Sequence, residues 1–227
     1  MPATSRKKIK GDLEPLWESE ARTNAKREQR APILEAASKA FMTRGYVGTT
    51  LDDVAKLLGT TKGQIYHYYR SKTDLYFDVA VGSLFMVHER IKDIFEMEQM
   101  PALDKLRNVI YTYALELMEN FAFHRVALEA TQFQMIGRQS MSQERAQNRI
   151  VALRTRLENK VGRLIAEAAP HSLAGEGNAI LVKAAFGSLT WLVVWFDPGR
   201  QTSQETIERI ARATADFVVD GLRGASC

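Results

Sequence analysis

The stretch "TTLDDVAKLLGTTKGQIYHYYRSKTDL", Thr49 to Leu75, decides the fold. Thr50 stands three residues before Asp53, the spacing of a capping box with Asp in place of the preferred Glu. Leu51, Val54, Ala55 and Leu58 then share one face of a short helix, and Gly59 supplies its stop. Thr61 opens a second short helix, in which Ile65 and Tyr69 face the same way, inward. Ser71, three residues before Asp74, repeats the capping-box spacing and starts a long helix toward Met97. Two short helices at a glycine turn predict a helix-turn-helix.

The remaining faces of the second helix carry Lys62, Gly63, Gln64, Tyr66, His67 and Tyr68. In a helix-turn-helix the second helix lies in a DNA major groove. Lysine, histidine and tyrosine tips donate to phosphate oxygens, and glutamine pairs in bidentate fashion with an adenine edge. Gly63 has no side chain to hold a groove wall away. Ser71 and Lys72 place a helix N-terminus beside a cation, which suits a backbone phosphate.

Charge follows the same division. The chain has 227 residues and a formal charge of +4. Residues 1–75 hold 14 Lys/Arg against 9 Asp/Glu, and the rest of the chain is nearly balanced. A basic module on a neutral one points to a polyanion for the first part only. Residues 1–23 show no lasting apolar period and are expected to form a flexible basic arm. That arm alone also reads as a solubilising tail.

From Asn24 a helical pattern runs through Ile33, Leu34, Ala37, Ala40 and Phe41 to a stop at Gly45. Beyond Met97, helices are expected from Pro101 to Asn120, His124 to Gly137, Ser142 to before Pro170, Ala179 to Phe196 and Ser203 to Leu222. No strand pattern or repeat interrupts them. The expectation is an all-α chain of about nine helices, with a three-helix DNA-binding domain over 24–75 and a larger helical domain over 76–227. Ala179 to Phe196 barely reaches a bilayer-spanning length and is broken by Lys183, Ser188 and Thr190, so it reads as a buried helix.

With these residues in view, the segment resembles the N-terminal DNA-binding domain of the tetracycline-repressor (TetR) family. The matching positions are Gly45, Tyr46, Thr49, Thr50, Gly59, Thr61, Lys62, Gly63, Ile65, Tyr66, Tyr68, Tyr69, Ser71, Lys72, Asp74 and Leu75. Thr60 departs from the pattern, where an apolar valine is common. The resemblance covers about residues 27–76. It implies phosphate contacts from Thr50, Tyr66, His67 and Lys72. It implies base or near-base contacts from Thr61, Lys62, Gly63 and Gln64, with Tyr68 in either role.

The resemblance further implies a small-molecule pocket among the C-terminal helices and a homodimer formed by the last two. Small residues in "AAFGSL", Ala184 to Leu189, would let such helices approach closely. A two-fold dimer would read a near-palindromic operator in double-stranded DNA. Met86, Tyr113, Leu117, Phe133 and Trp191 are the expected pocket lining. His88, His124 and Tyr111 read either as partners for a polar group of a ligand or as satisfied surface groups. "WFDPGRQTSQETIERIARATADFVVDGL", Trp195 to Leu222, is similar to regulators of fatty-acid and steroid catabolism, some of which sense acyl-CoA thioesters. That suggests an acyl-CoA, fatty acid or steroid-like effector.

The functional expectation is a ligand-responsive, sequence-specific transcriptional repressor. The alternative is an activating or architectural DNA binder without an effector. No cofactor or membrane partner is expected, and a single cysteine, Cys227, fits a bacterial cytosol. Catalysis is not expected. The four histidines show no metal-ligand spacing, and no phosphate loop or nucleophile motif is present.

Overall fold

The structure is a computed structural model that describes residues 20–132, 141–168, 176–200 and 203–224. Nine helices and no strand occur among the described residues: α1 (Glu20–Gly48), α2 (Leu51–Leu58), α3 (Lys62–Tyr68), α4 (Lys72–Phe95), α5 (Ala102–Glu119), α6 (Phe121–Gln132), α7 (Met141–Ala168), α8 (Glu176–Trp195) and α9 (Gln204–Gly224). Most of the expected arm, as well as Phe133, His171 and Cys227, lies outside the described residues. The first helix starts at Glu20, ahead of the expected Asn24.

Each early boundary has a local cause. Gly45 breaks α1 with φ 67°, a left-handed conformation that a side chain would strain. At the start of α2 the Thr50 hydroxyl accepts from the Asp53 amide, and the Asp53 carboxylate accepts from the Thr50 amide, so the capping box is closed. Gly59, φ 70°, ends that helix. Its amide and that of Thr60 reach back to Lys56 O and Ala55 O at 3.1 and 2.9 Å, a Schellman closure. Thr61 caps α3 and Ser71 caps α4.

Two apolar cores result. The first gathers α1 to α3 and the first half of α4 around Phe41, Val54, Ile65, Leu75 and Tyr76. It also takes in Val126 and Ala130 of α6 and Ile150 of α7. The second gathers α5, α7, α8 and α9 around Leu106, Ile110, Ile165, Leu189 and Val219. The long α4 contributes to both, with Leu75 to Val81 in the first and Val87 and Ile91 in the second. α1 packs against α6, and α4 against α6 and α7, so the helix-turn-helix is tied to the body through α1 and α4.

A buried polar knot joins the middle of the body. Glu116 of α5 pairs with Arg90 of α4 at 2.9 Å and accepts from Asn120 at 2.8 Å, and His124 of α6 lies 3.6 Å away. Burial pushes the Glu116 carboxyl up, and His124 and Arg90 beside it outweigh that, leaving it below the ordinary range. His124 and Glu116 are both buried, so His124 is a core partner of a carboxylate and not a surface group.

Candidate DNA interface

The helix-turn-helix is braced before any partner arrives. Ile65 and Tyr69 of the α3 segment are buried, as their shared face predicts. Tyr69 donates its hydroxyl to Asp78 at 2.7 Å, and Arg30 of α1 lies over its ring and pairs with Asp78 at 3.7 Å. Burial, then the Asp78 charge, holds the Tyr69 hydroxyl well above its usual pKa. Arg44 of α1 pairs with Asp53 of α2 at 2.5 Å. Thr49 is fully buried, its hydroxyl 2.8 Å from Gly45 O and 3.1 Å from Ala40 O.

Against this frame α3 turns its other side outward. Thr61, Lys62, Gly63, Gln64, Tyr66 and His67 are all exposed, Tyr66 by 48%. A Cβ added to Gly63 would meet only Thr61 Oγ1 at 3.8 Å, so nothing inside the protein requires a glycine there. The Gln64 side chain accepts from Thr60, and Lys62 pairs with Asp52 of α2 at 3.0 Å and lies 5.8 Å from the Tyr66 ring. That hydrogen bond to Asp52 raises the Lys62 pKa. Thr50 is exposed at the α2 start, and its hydroxyl also bonds Asp53 at 2.6 Å. Tyr68 is half-buried, packed against the first core and edge-on to His67. It stands between the inner and outer faces.

Lys72 departs from expectation. Its ammonium is spent on the protein, at 2.7 Å from Tyr46 O, 2.9 Å from Thr49 O and 3.4 Å from Val47 O, and it lies 4.4 Å from the Tyr46 ring. An ammonium has three donors. Here each has a carbonyl, so Lys72 clamps the α1–α2 corner to the start of α4. Tyr46 adds a bond from its hydroxyl to Thr73 at 2.6 Å. Sequence reading gave no structural part to Tyr46, Arg44 or Arg30, because their partners are distant in the chain.

The expected pocket residues separate. Tyr113 and Leu117 are buried in the second core, where burial pushes the Tyr113 hydroxyl up to about 12. Met86 is half-buried on α4. Trp191 is 62% exposed on the outer side of α8 and is not part of that core. The reason is that apolar residues run all round α8, with Lys183, Ser188 and Thr190 too few among them for periodicity to say which side faces in. Only a third of Gly177–Trp195 is buried, against the expectation of a buried helix, although by length and composition alone it would suit a membrane. Among the described residues no group of three or more His, Cys, Asp or Glu is placed to hold a metal ion.

Comparison with known proteins agrees with this geometry. Residues 33–79 match the family model "Bacterial regulatory proteins, tetR family", and residues 99–222 match "Tetracyclin repressor-like, C-terminal domain". The chain is 34% identical over 100 residues to two Pseudomonas putida proteins, the transcriptional regulator TtgR and the probable regulator ArpR. It is 27% identical over 105 residues to IcaR of Staphylococcus aureus, a negative regulator of a biofilm operon. These alignments take in 44% of this chain and 47% of TtgR and ArpR, and 46% and 56% for IcaR, so the chain spans about half the length of these curated relatives. Among solved structures, PfmR of Thermus thermophilus superposes with a TM-score of 0.69 at 24% identity, over 83% of this chain and 97% of that one. AibR, solved with isovaleryl coenzyme A and operator DNA, gives 0.63 at 18%, over 82% and 95%. The second family model alone spans more than half of the chain, and the chain belongs to the TetR family of bacterial regulatory proteins.

Proposed function

We propose that this protein is a dimeric, effector-responsive transcriptional repressor that reads a near-palindromic operator with α3 in the major groove. The observation that carries this reading is the outer face of α3. Six exposed residues, five of them with hydrogen-bonding tips and one a glycine that packing does not need, sit on a corner braced by two caps and three ion pairs. Thr50, Tyr66 and His67 would meet phosphates, and Thr61, Lys62, Gly63 and Gln64 would meet or approach base edges. On binding, Lys62 would exchange Asp52 for DNA, and Gln64 would give up Thr60.

The dimer would use the outer sides of α8 and α9. Ile180, Ala184, Gly187 and Trp191 form an exposed stripe on α8, and Phe217 is 73% exposed on α9 between Ala213 and Gly221. A Cβ at Gly187 or Gly221 would meet nothing within 4 Å. Large apolar groups beside small ones, turned to water on two neighbouring helices, favour a second copy. The effector would be a small apolar or acyl-type molecule in the α4–α9 body, as isovaleryl coenzyme A accompanies AibR. Its binding would move α4, which belongs to both cores.

The test is a pair of substitutions read on selected operator DNA. Gln64→Ala should relax the preference at one base pair by about 1–3 kcal/mol while weakening other sequences little. Gly63→Ala should leave folding intact, or raise helix stability by up to about 1 kcal/mol, and still weaken operator binding. Equal loss on all sequences for Gln64→Ala, or unchanged binding for Gly63→Ala, would contradict placement of α3 in the groove.

A further inference from the structure

We infer that a cleft of about 370 Å³, where the helix-turn-helix meets the helical body, binds a small molecule carrying a diphosphate or longer phosphate group. Arg30 of α1, Arg70 from the α3–α4 corner, and Arg145 and Arg149 of α7 line it, with Asp74 and Asp78 of α4. Arg145 and Arg149 are four residues apart, so they share one helix face, and both are exposed. Four guanidinium groups against two carboxylates leave a surplus of two positive charges. Asp78 is already committed to the Tyr69 hydroxyl and to Arg30. Among the described residues no ion pair reaches Arg70, Arg145 or Arg149.

A second observation points the same way. The Arg30 Nε is buried and has no hydrogen-bond partner. A buried donor left unmet is rare and calls for a missing acceptor. Guanidinium forks match phosphate oxygens in bidentate pairs, and several forks around one cleft suit more than one phosphate. The volume falls at the lower end of small-ligand sites. A DNA strand is a poor occupant, because none of Thr61 to Gln64, Tyr66 or His67 lines the cleft. The occupant would bridge α1 and the α3–α4 corner to α7. Ligand binding would then be felt by the recognition helix, a consequence that rests on the regulatory reading, whereas the site itself does not.

The experiment uses the full chain without DNA at about 0.1 M salt, a concentration that still leaves neighbouring charges coupled. Calorimetry and thermal shift are run with pyrophosphate, ADP and coenzyme A, and with inorganic phosphate for comparison. At least one diphosphate-bearing compound should bind saturably and raise the melting midpoint. The Arg145→Ala/Arg149→Ala variant should weaken that binding at least tenfold while keeping its fold, since both side chains are exposed. Arg163→Ala, farther along α7, should bind as the parent does. No binding by any diphosphate compound, or equal binding by the double variant, overturns the inference. So does a double variant that loses duplex affinity alone, which would assign these arginines to DNA. Loss of operator binding in every form of the protein, with ligand binding intact, would instead sink the regulatory reading and leave the site standing.

Discussion

Two surfaces of this chain face water, and they are opposites. The outer side of α3 presents Lys62, Gln64, Tyr66 and His67 from a helix of seven residues that is fixed at both ends. The outer sides of α8 and α9 present Ile180, Trp191, Trp195 and Phe217 from helices of 20 and 21 residues. The first is polar, small and rigidly mounted, and it asks for a polyanion. The second is apolar and long, and it asks for a surface like itself. On the proposed reading, specificity and affinity would be separated. One face would distinguish partners, and the other would double the number of such faces on one molecule.

The largest effect should come from breaking the apolar face. Trp191→Glu is expected to leave the monomer folded, because the side chain is exposed, and to give a species near 25.6 kDa by sedimentation at micromolar concentration. Losing the linked second half-site should weaken operator binding by about 10²–10⁴. A stable dimer of about twice that mass would remove this face from assembly.

A middle effect belongs to the brace between the two. Lys72→Ala frees the carbonyls of Tyr46, Val47 and Thr49. Charge-assisted bonds of this kind are each worth about 1.5–3 kcal/mol, and the site is partly solvated, so a stability loss of about 2 kcal/mol is expected. Chemical denaturation measures it. If Lys72 instead spends its charge on a phosphate, stability should be unchanged and the salt dependence of DNA binding should fall by about one ion.

The smallest effect concerns acid. Asp53 is held down to about 2, by the Thr50 hydroxyl first, then the Thr50 amide, with Arg44 adding. A depressed carboxyl pKa stabilises the fold above the unfolded value and loses that contribution as pH falls through the folded one. The α2 cap should therefore weaken between about pH 4 and pH 2, a window set by its two pKa values. Asp53→Asn should abolish that component of acid unfolding while lowering stability at pH 7. An acid transition of identical shape in the variant would mean that the cap does not report it.

What was legible in the sequence was what is local. Thr50 and Asp53, Ser71 and Asp74, and Ile65 and Tyr69 are three or four residues apart: the first pair closes a capping box, Ser71 accepts from the Asp74 amide, and Ile65 and Tyr69 are buried together. What was not legible joins distant positions. Lys72 meets carbonyls 23 to 26 residues back, Arg90 meets Glu116 26 residues on, and Arg30 meets Asp78. No periodicity encodes such pairs. Trp191 was misplaced for a different reason. Its helix carries too few polar residues to mark the outside clearly, so the same composition suits a core helix and an assembly face.

The span of α4 across both cores has a geometric consequence. A helix of 24 residues is about 36 Å long, so a tilt of about 5° at its body end displaces the other end by about 3 Å. In a two-fold pair the displacements oppose each other, and the separation of the two α3 helices changes by about 6 Å. Successive major grooves on one side of a duplex recur every 34–36 Å. In a pair of the proposed kind, a tilt of that size would therefore be enough to put the two α3 helices out of step with the helical repeat of DNA.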